Sequence, residues 1–325
     1  MNIHQVDTAS RQDVARFVQF PYRLYQDCAR WVPPLVSAGY RAMDSRHPYY
    51  EHSVAAFFLA ERAGQVVGRI AALENRNYNR YRHSNQAFFG YFDAVDDDTV
   101  SDALFAAACE WAWKRGLDGI AGPHGLLGSE GGSVLIEGFD LRPAMGVPYN
   151  YSYYHDLISA AGFAKDTDFV SAHVDVHYQL PARVRAIAHK VSARRGFQVK
   201  SFVSKRELRA WIPRFLEAHA RAFAANHTYY PPTPAEVNAL VETIMLVVDP
   251  SLVKLILLRD EIIGFILGFR DLSVGLQRAR GRIWPIGWYH LLAERRRTRW
   301  INLNGLGLTP EHRGVGVDAL LLTTL

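Results

Sequence analysis

The stretch Trp300–Leu325, WINLNGLGLTPEHRGVGVDALLLTTL, decides how the chain is read. An apolar run ends at Leu308, Thr309 and Pro310 stop it, and Arg313-Gly314-Val315-Gly316-Val317 leads into a second apolar run. This predicts a strand, a glycine-rich turn and a helix, whose backbone N–H groups converge on an anion such as a phosphate. No Gly-Lys-Ser/Thr follows, so the turn is not of the Walker type. Gly314-x-Gly316-x-x-Ala319 meets the looser dinucleotide pattern, but a second parallel strand and an acid about 20 residues on do not follow in this sequence. The plainer alternative is a strand–helix corner in which Asp318 complements the helix macrodipole.

Working outward, 325 residues of which 49% are hydrophobic suit two globular domains of ordinary size. The net charge of +5 is modest, yet arginines crowd at Arg278-Ala-Arg280-Gly-Arg282 and Arg295-Arg296-Arg297-Thr298-Arg299. Runs of this kind are solvated faces, attractors of anionic ligands or nonspecific nucleic-acid contacts, in that order of expectation. Cys28 and Cys109 form no paired motif, and the N-terminus has no signal-type apolar core. The expectation is a cytoplasmic protein without a membrane or nucleic-acid partner.

Along the chain, Asp13 to Cys28 has helical spacing interrupted by Pro21, which predicts a kinked or broken helix pair. Residues 55–74 read as two strands around Arg-Ala-Gly-Gln, and 87–92 as a third. A helix then runs over 100–115, a strand over 119–122 and a helix over 153–161, with a strand expected over Phe169–Tyr178. A basic helix over 182–195 precedes a second pass: strand 197–202, helices 205–225 and 237–247, a hairpin around Arg259-Asp260-Glu261, and a strand over 300–308.

With its x-Pro stop and Arg-x-x-Gly turn, the Trp300–Leu325 stretch resembles the acyl-CoA signature of the GNAT-type N-acetyltransferases. The pattern is met at Arg313 and Gly316 and departs from it at Asp318, where the family has a small residue. The element order of both passes is similar to that family's fold, and Tyr154-His-Asp-Leu-Ile-Ser-Ala-Ala-Gly-Phe163 resembles its closing helix and turn. The resemblance implies a mixed-sheet α/β protein with two tandem acyl-CoA N-acyltransferase-like domains, the second incomplete at its C-terminus. The expected boundaries are residues 1–180, a linker helix over 181–196, and residues 197–325. The first pass, recognised from about residue 50, carries Asp93-Ala-Val-Asp-Asp-Asp98 where the phosphate turn would be, a charge that opposes a pyrophosphate.

The same resemblance implies acetyl-CoA as acyl donor and direct transfer to an unidentified small-molecule or peptide amine. Leu306, Gly307 and Leu308 would present backbone N–H groups to the thioester carbonyl, and Arg313, Gly314, Val315, Gly316 and Val317 would hold the pyrophosphate. A carboxylate introduced at Gly316 is expected to abolish that affinity with the fold intact. For proton transfer the candidates are Glu217 and His219 on one helix and Tyr229 and Tyr230 in the following loop. Two alternatives are a non-catalytic binding module using the aromatic cluster Tyr149, Tyr151, Tyr153 and Tyr154, and an aminoacyl-tRNA-dependent transferase. His173-Val-Asp175-Val-His177 puts three polar groups on one strand face, where a solvated strand is favoured over a metal site. Ser129 and Ser133 near His124 lack a nucleophile elbow and read as loop.

Overall fold

The computed structural model describes residues 1–127, 130, 132–174, 177–193 and 196–324, apart from the side chain of Asn304. Ser129 and Asp175 lie outside the described residues. The chain divides into two compact units, the first comprising Met1–Phe169, Pro232–Glu236 and Leu272–Thr298. The second comprises Val170–Pro231, Val237–Asp271 and Arg299–Leu325.

The first unit is built on a sheet of strands β1 (Asn2–Gln5), β2 (Val54–Arg62), β3 (Gln65–Glu74), β4 (Gln86–Ala94) and β5 (Gly119–Ala121), in that order. Strands β1 to β4 pair antiparallel, and β5 joins β4 in parallel. Helices α1 (Arg11–Leu24), α2 (Val36–Ala42), α3 (Arg76–Arg82), α4 (Asp98–Lys114) and α5 (Tyr154–Ala160) complete its framework. Helix α4 starts at Asp97, whose carboxylate accepts the Thr99 N–H, and buries Val100, Leu104 and Ala108 with Ile70 and Ala72 of the sheet. Because β1 pairs with β2, the sheet also includes residues ahead of the element order recognised from about residue 50.

Two local expectations are corrected. Of the kinked or broken helix pair expected at Pro21, the break is not found, and α1 continues through it as one helix. Proline removes the N–H that would bond the Phe17 carbonyl, and the Arg69 guanidinium donates to that carbonyl instead, at 3.0 Å. No strand forms over Phe169–Tyr178 among the described residues. Alternating side chains are not sufficient there, since a strand needs a partner edge for its backbone, and Phe169 and Val170 are exposed.

The second unit has helix α6 (Ala182–Ser192), strand β6 (Phe197–Ser201), helix α7 (Lys205–Phe223) and helix α8 (Pro234–Val247), whose first turn belongs to the first unit. Strands β7 (Val253–Leu258), β8 (Glu261–Arg270) and β9 (Ile301–Leu308) follow, with helix α11 (Val317–Leu322) after the glycine turn. Between β8 and β9 the chain makes helices α9 (Ser273–Ala279) and α10 (Gly287–Arg297), which belong to the first unit. The sheet order is β6-β7-β8-β9, antiparallel throughout. One face packs α7 through Leu208, Ala218 and Ala222 on Leu255 and Phe265. The other packs α6 and α11 through Val191, Val317 and Leu321 on Ile256 and Ile266.

The two sheets repeat one another in detail. Each has a two-residue hairpin turn with positive φ at both positions, Ala63-Gly64 (48° and 76°) and Arg259-Asp260 (48° and 73°). A register shift follows at Ala60/Glu61 in one and Ile256/Leu257 in the other. Gly68 opposes Ala94, and Gly264 opposes Leu308. A Cβ on Gly68 would lie 2.9 Å from Val100 and 2.7 Å from Leu104 of α4. On Gly264 it would lie 2.6 Å from the Leu308 side chain of β9 and 3.3 Å from Leu321 and 3.4 Å from Val317 of α11, so both strands carry a glycine where the helix after the fourth strand packs.

Candidate functional site

In the second unit β9 is the terminal strand, and among the described residues its outer edge has no strand partner. The Thr309 N–H donates to the Ile263 carbonyl at 3.0 Å. Alternate residues of a strand point their N–H groups the same way, so Gly307 faces β8 while Leu306 and Leu308 face the open edge. Gly307 is required to be glycine, because a Cβ there would lie 2.3 Å from the Phe265 ring. The register shifts between Ile266 and Gly268, setting Leu306–Leu308 off from the rest of β9.

The turn after β9 is pinned from several sides. Thr309, buried, also donates its hydroxyl to the Ile263 carbonyl at 3.3 Å, and its Oγ1 lies 2.9 Å from His312 Nδ1. Arg313 Nη2 donates to the Ala222 carbonyl at 2.7 Å and Nε to the Leu308 carbonyl at 3.4 Å. The guanidinium thus ties the turn to the C-terminal end of α7, where cations are favoured. Arg221 of α7 adds ion pairs to Glu261 and, at 3.2 Å, to Glu311. Gly314 and Gly316 are left-handed, with φ 74° and 88°, and a Cβ on Gly314 would meet open space. At Gly316 it would lie 2.5 Å from Ile187 of α6, so a side chain there disturbs packing as well as any ligand, contrary to the expectation of an intact fold. Val315 is 44% exposed, and Val317 is buried in the core.

The four proton-transfer candidates are not brought together. Glu217 is exposed on α7, in a shallow depression with Arg214, Arg221 and Arg259. His219 lies among Phe215, Phe223 and Phe265, stacked on Phe265 at 5.9 Å with an interplanar angle of 22°. Burial among these rings lowers its pKa and favours the neutral imidazole. Since Phe265 also abuts Gly307, His219 is one ring away from the open strand. Tyr230 is buried and Tyr229 half-buried.

The first unit shows what became of the equivalent edge. At Ala94, the counterpart of Leu308, the N–H donates to Tyr154 Oη at 3.2 Å and the carbonyl accepts from Tyr153 Oη at 2.9 Å. Tyr154 Oη donates to Asp93 Oδ1 at 3.2 Å and accepts from Tyr25 Oη at 2.8 Å. Asp93 in turn pairs with Arg69 at 2.7 Å. Burial, together with the adjacent carboxylate, pushes the Tyr25 and Tyr154 hydroxyls well above the usual tyrosine range. Burial also raises the Asp93 carboxyl, against the pull of Arg69. Rings of Tyr25, Tyr151 and Tyr153 stack in sequence at 4.9 and 5.4 Å. These tyrosines fill and bond the interior instead of lining a groove. Sequence reading singled out the tyrosine run and the aspartates, but not Arg69 or Tyr25, whose partners are remote in sequence.

His173 packs edge-on against Trp300 at 4.3 Å. Among the described residues no group of three or more His, Cys, Asp or Glu side chains is disposed to hold a metal ion.

No protein-family model matches the sequence. Two curated proteins do. Protein YghO of Escherichia coli (strain K12) is 25% identical over 288 residues, covering 87% of this chain and 72% of that protein. Bacterial ceramide synthase of Caulobacter vibrioides (strain NA1000 / CB15N) is 26% identical over 285 residues, covering 86% and 73%. Among solved structures, a tandem GNAT protein from the clavulanic acid biosynthesis pathway superimposes with a TM-score of 0.52 at 13% identity, covering 99% of this chain and 83% of its own. Paired hairpins, paired glycine clearances and that likeness agree, and the chain has the tandem GNAT fold.

Proposed function

We propose that the second unit is an acyl-CoA-dependent N-acyltransferase, with acetyl-CoA the first donor to test, and that the first unit is its non-catalytic partner. The observation that carries this reading is the difference at one strand position. The Ala94 N–H is taken up by the Tyr154 hydroxyl, whereas the N–H groups of Leu306 and Leu308 point to an open edge beside a glycine turn. In the reaction the amine nitrogen attacks the thioester carbonyl while the strand N–H groups stabilise the oxygen's developing charge. The C–S bond then breaks, the nitrogen gives up a proton, and the leaving thiolate takes one. His219, neutral and near Gly307, is the base we favour over Glu217, Tyr229 and Tyr230. Ceramide being an N-acylated long-chain amine, the Caulobacter relative's name supports amide formation and adds long-chain amines to small-molecule and peptide amines as acceptors.

Calorimetric titration of acetyl-CoA and free coenzyme A into the chain tests the site. Both should bind, and Val315→Glu, which adds a carboxylate at an exposed turn position, should abolish binding with the fold unchanged. Undiminished affinity in Val315→Glu would reject the turn as the phosphate site. Once an acceptor is found, His219→Gln should lower kcat by about a hundredfold and remove the acid limb of the pH profile. A variant that keeps that limb would exclude His219 as the base.

A further inference from the structure

The α9–α10 segment presents a surface that the catalytic reading does not use. It is anchored to the rest of the first unit by close backbone contacts. Gly281 accepts the Val36 N–H at 2.9 Å, and a Cβ on it would lie 2.3 Å from the Pro34 carbonyl. Gln277 donates to the Ala29 and Trp31 carbonyls, both at 2.9 Å. Gly275 lets α10 approach α9 so closely that a Cβ would lie 3.0 Å from Glu294.

From this rigid base six large apolar side chains face outward: Ile283, Trp284, Ile286, Trp288, Tyr289 and Leu292. Trp284 is 78% exposed, Ile286 66% and Tyr289 60%, which is unusual for neighbours in one short segment. The exposed charge carried by the segment itself has one sign. Arg278, Arg280, Arg282, Arg296 and Arg297 are exposed, while Glu294, the sole acid from Leu272 to Arg299, is buried.

We propose that this segment docks the protein on an anionic lipid bilayer, with the tryptophans and aliphatic side chains entering the headgroup–acyl boundary and the arginines meeting lipid phosphates. Tryptophan and tyrosine favour that boundary because one part of each ring system is apolar and the other polar. Surrounding arginines add electrostatic attraction to anionic lipid, and rigid anchoring leaves little ordering to be done on contact. No helix among the described residues is long and apolar enough to cross a membrane, and docking in the interface requires none. This surface, with the arginine runs that flank it, is the reason to propose a membrane partner where the sequence alone suggests none.

Sedimentation of the whole chain with phosphatidylcholine vesicles, with and without phosphatidylglycerol, tests the proposal. The chain should pellet with the phosphatidylglycerol vesicles, be released by salt, and show a blue shift of tryptophan emission when bound. Trp284→Ser combined with Trp288→Ser should weaken partitioning by about tenfold or more, with circular dichroism and melting unchanged. Should that variant unfold, Arg296→Glu with Arg297→Glu, at exposed positions, should give a loss of similar size. Three results would overturn the proposal: no pelleting at low salt, pelleting indifferent to the substitutions, or substitution-sensitive self-association without vesicle binding, which would assign the surface to a second copy.

Discussion

Single residues decide whether the open strand keeps its shape. At Gly307 a methyl group has nowhere to go, because the Phe265 ring already occupies the position and is itself held by Phe215 and His219. Gly307→Ala should therefore cost about 1–3 kcal/mol and lower Tm, by the ordinary penalty of overpacking; an unchanged melt would show that the ring can step aside. Asp97 gives a test in pH. Hydrogen bonds from Thr99 and then Arg62 hold its carboxyl down at about 2, below the usual aspartate value. A depressed folded pKa means that the folded state prefers the ion, so this stability is present above the ordinary aspartate range and is lost as pH falls toward 2. Denaturant unfolding across that window should show a steeper acid loss for the natural chain than for Asp97→Asn; equal slopes would refute it. At this scale the sequence was a good guide where geometry is local. Gly314 and the acidic helix start need only their neighbours, whereas Gly307, Gly316 and Arg69 owe their importance to groups brought near by the fold.

At the scale of elements, helix α1 shows why local pattern misleads. Pro21 predicts a kink or a break, but proline's penalty is a lost hydrogen bond and a clash, and the first part is made good by a guanidinium from β3, so the helix does not break. That guanidinium also stacks over the Phe17 ring at 4.9 Å and pairs with the buried Asp93. Arg69→Met should accordingly be severe, about 3–5 kcal/mol by chemical denaturation, since it strands a carboxylate in the interior and reopens the Phe17 carbonyl. If Arg69→Met together with Asp93→Leu is no better than Arg69→Met alone, the stranded charge is not the cause. Hairpins and the paired helices were legible because their turn residues and apolar spacing are local. The lack of a strand among the described residues of 169–178 was not, since a strand there depends on an available edge and no local pattern reports that.

For the molecule as a whole, the duplication was legible as element order, and the coordinates add matching turns, register shifts and glycine clearances. The interruption of the second sheet by α9 and α10, which belong to the first unit, was invisible to a reading that follows the chain from end to end. Retention of the frame does not imply retention of the site. If the first unit's strand edge is closed by its own tyrosines, calorimetry should return one coenzyme A per chain, and Tyr154→Phe should weaken the fold by about 1–3 kcal/mol without creating a second site. Two equivalent sites would contradict the assignment.

The tyrosines at Ala94 bear finally on what the corner after β4 can hold. A half whose strand edge supplies its own donors and acceptors leaves the corner after β4 free to serve as a helix start. Asp96, Asp97 and Asp98 stand at that corner, and Asp97 now serves as a helix cap. A ligand at that corner would have to displace a helix cap as well as the tyrosine hydroxyls that bond Ala94.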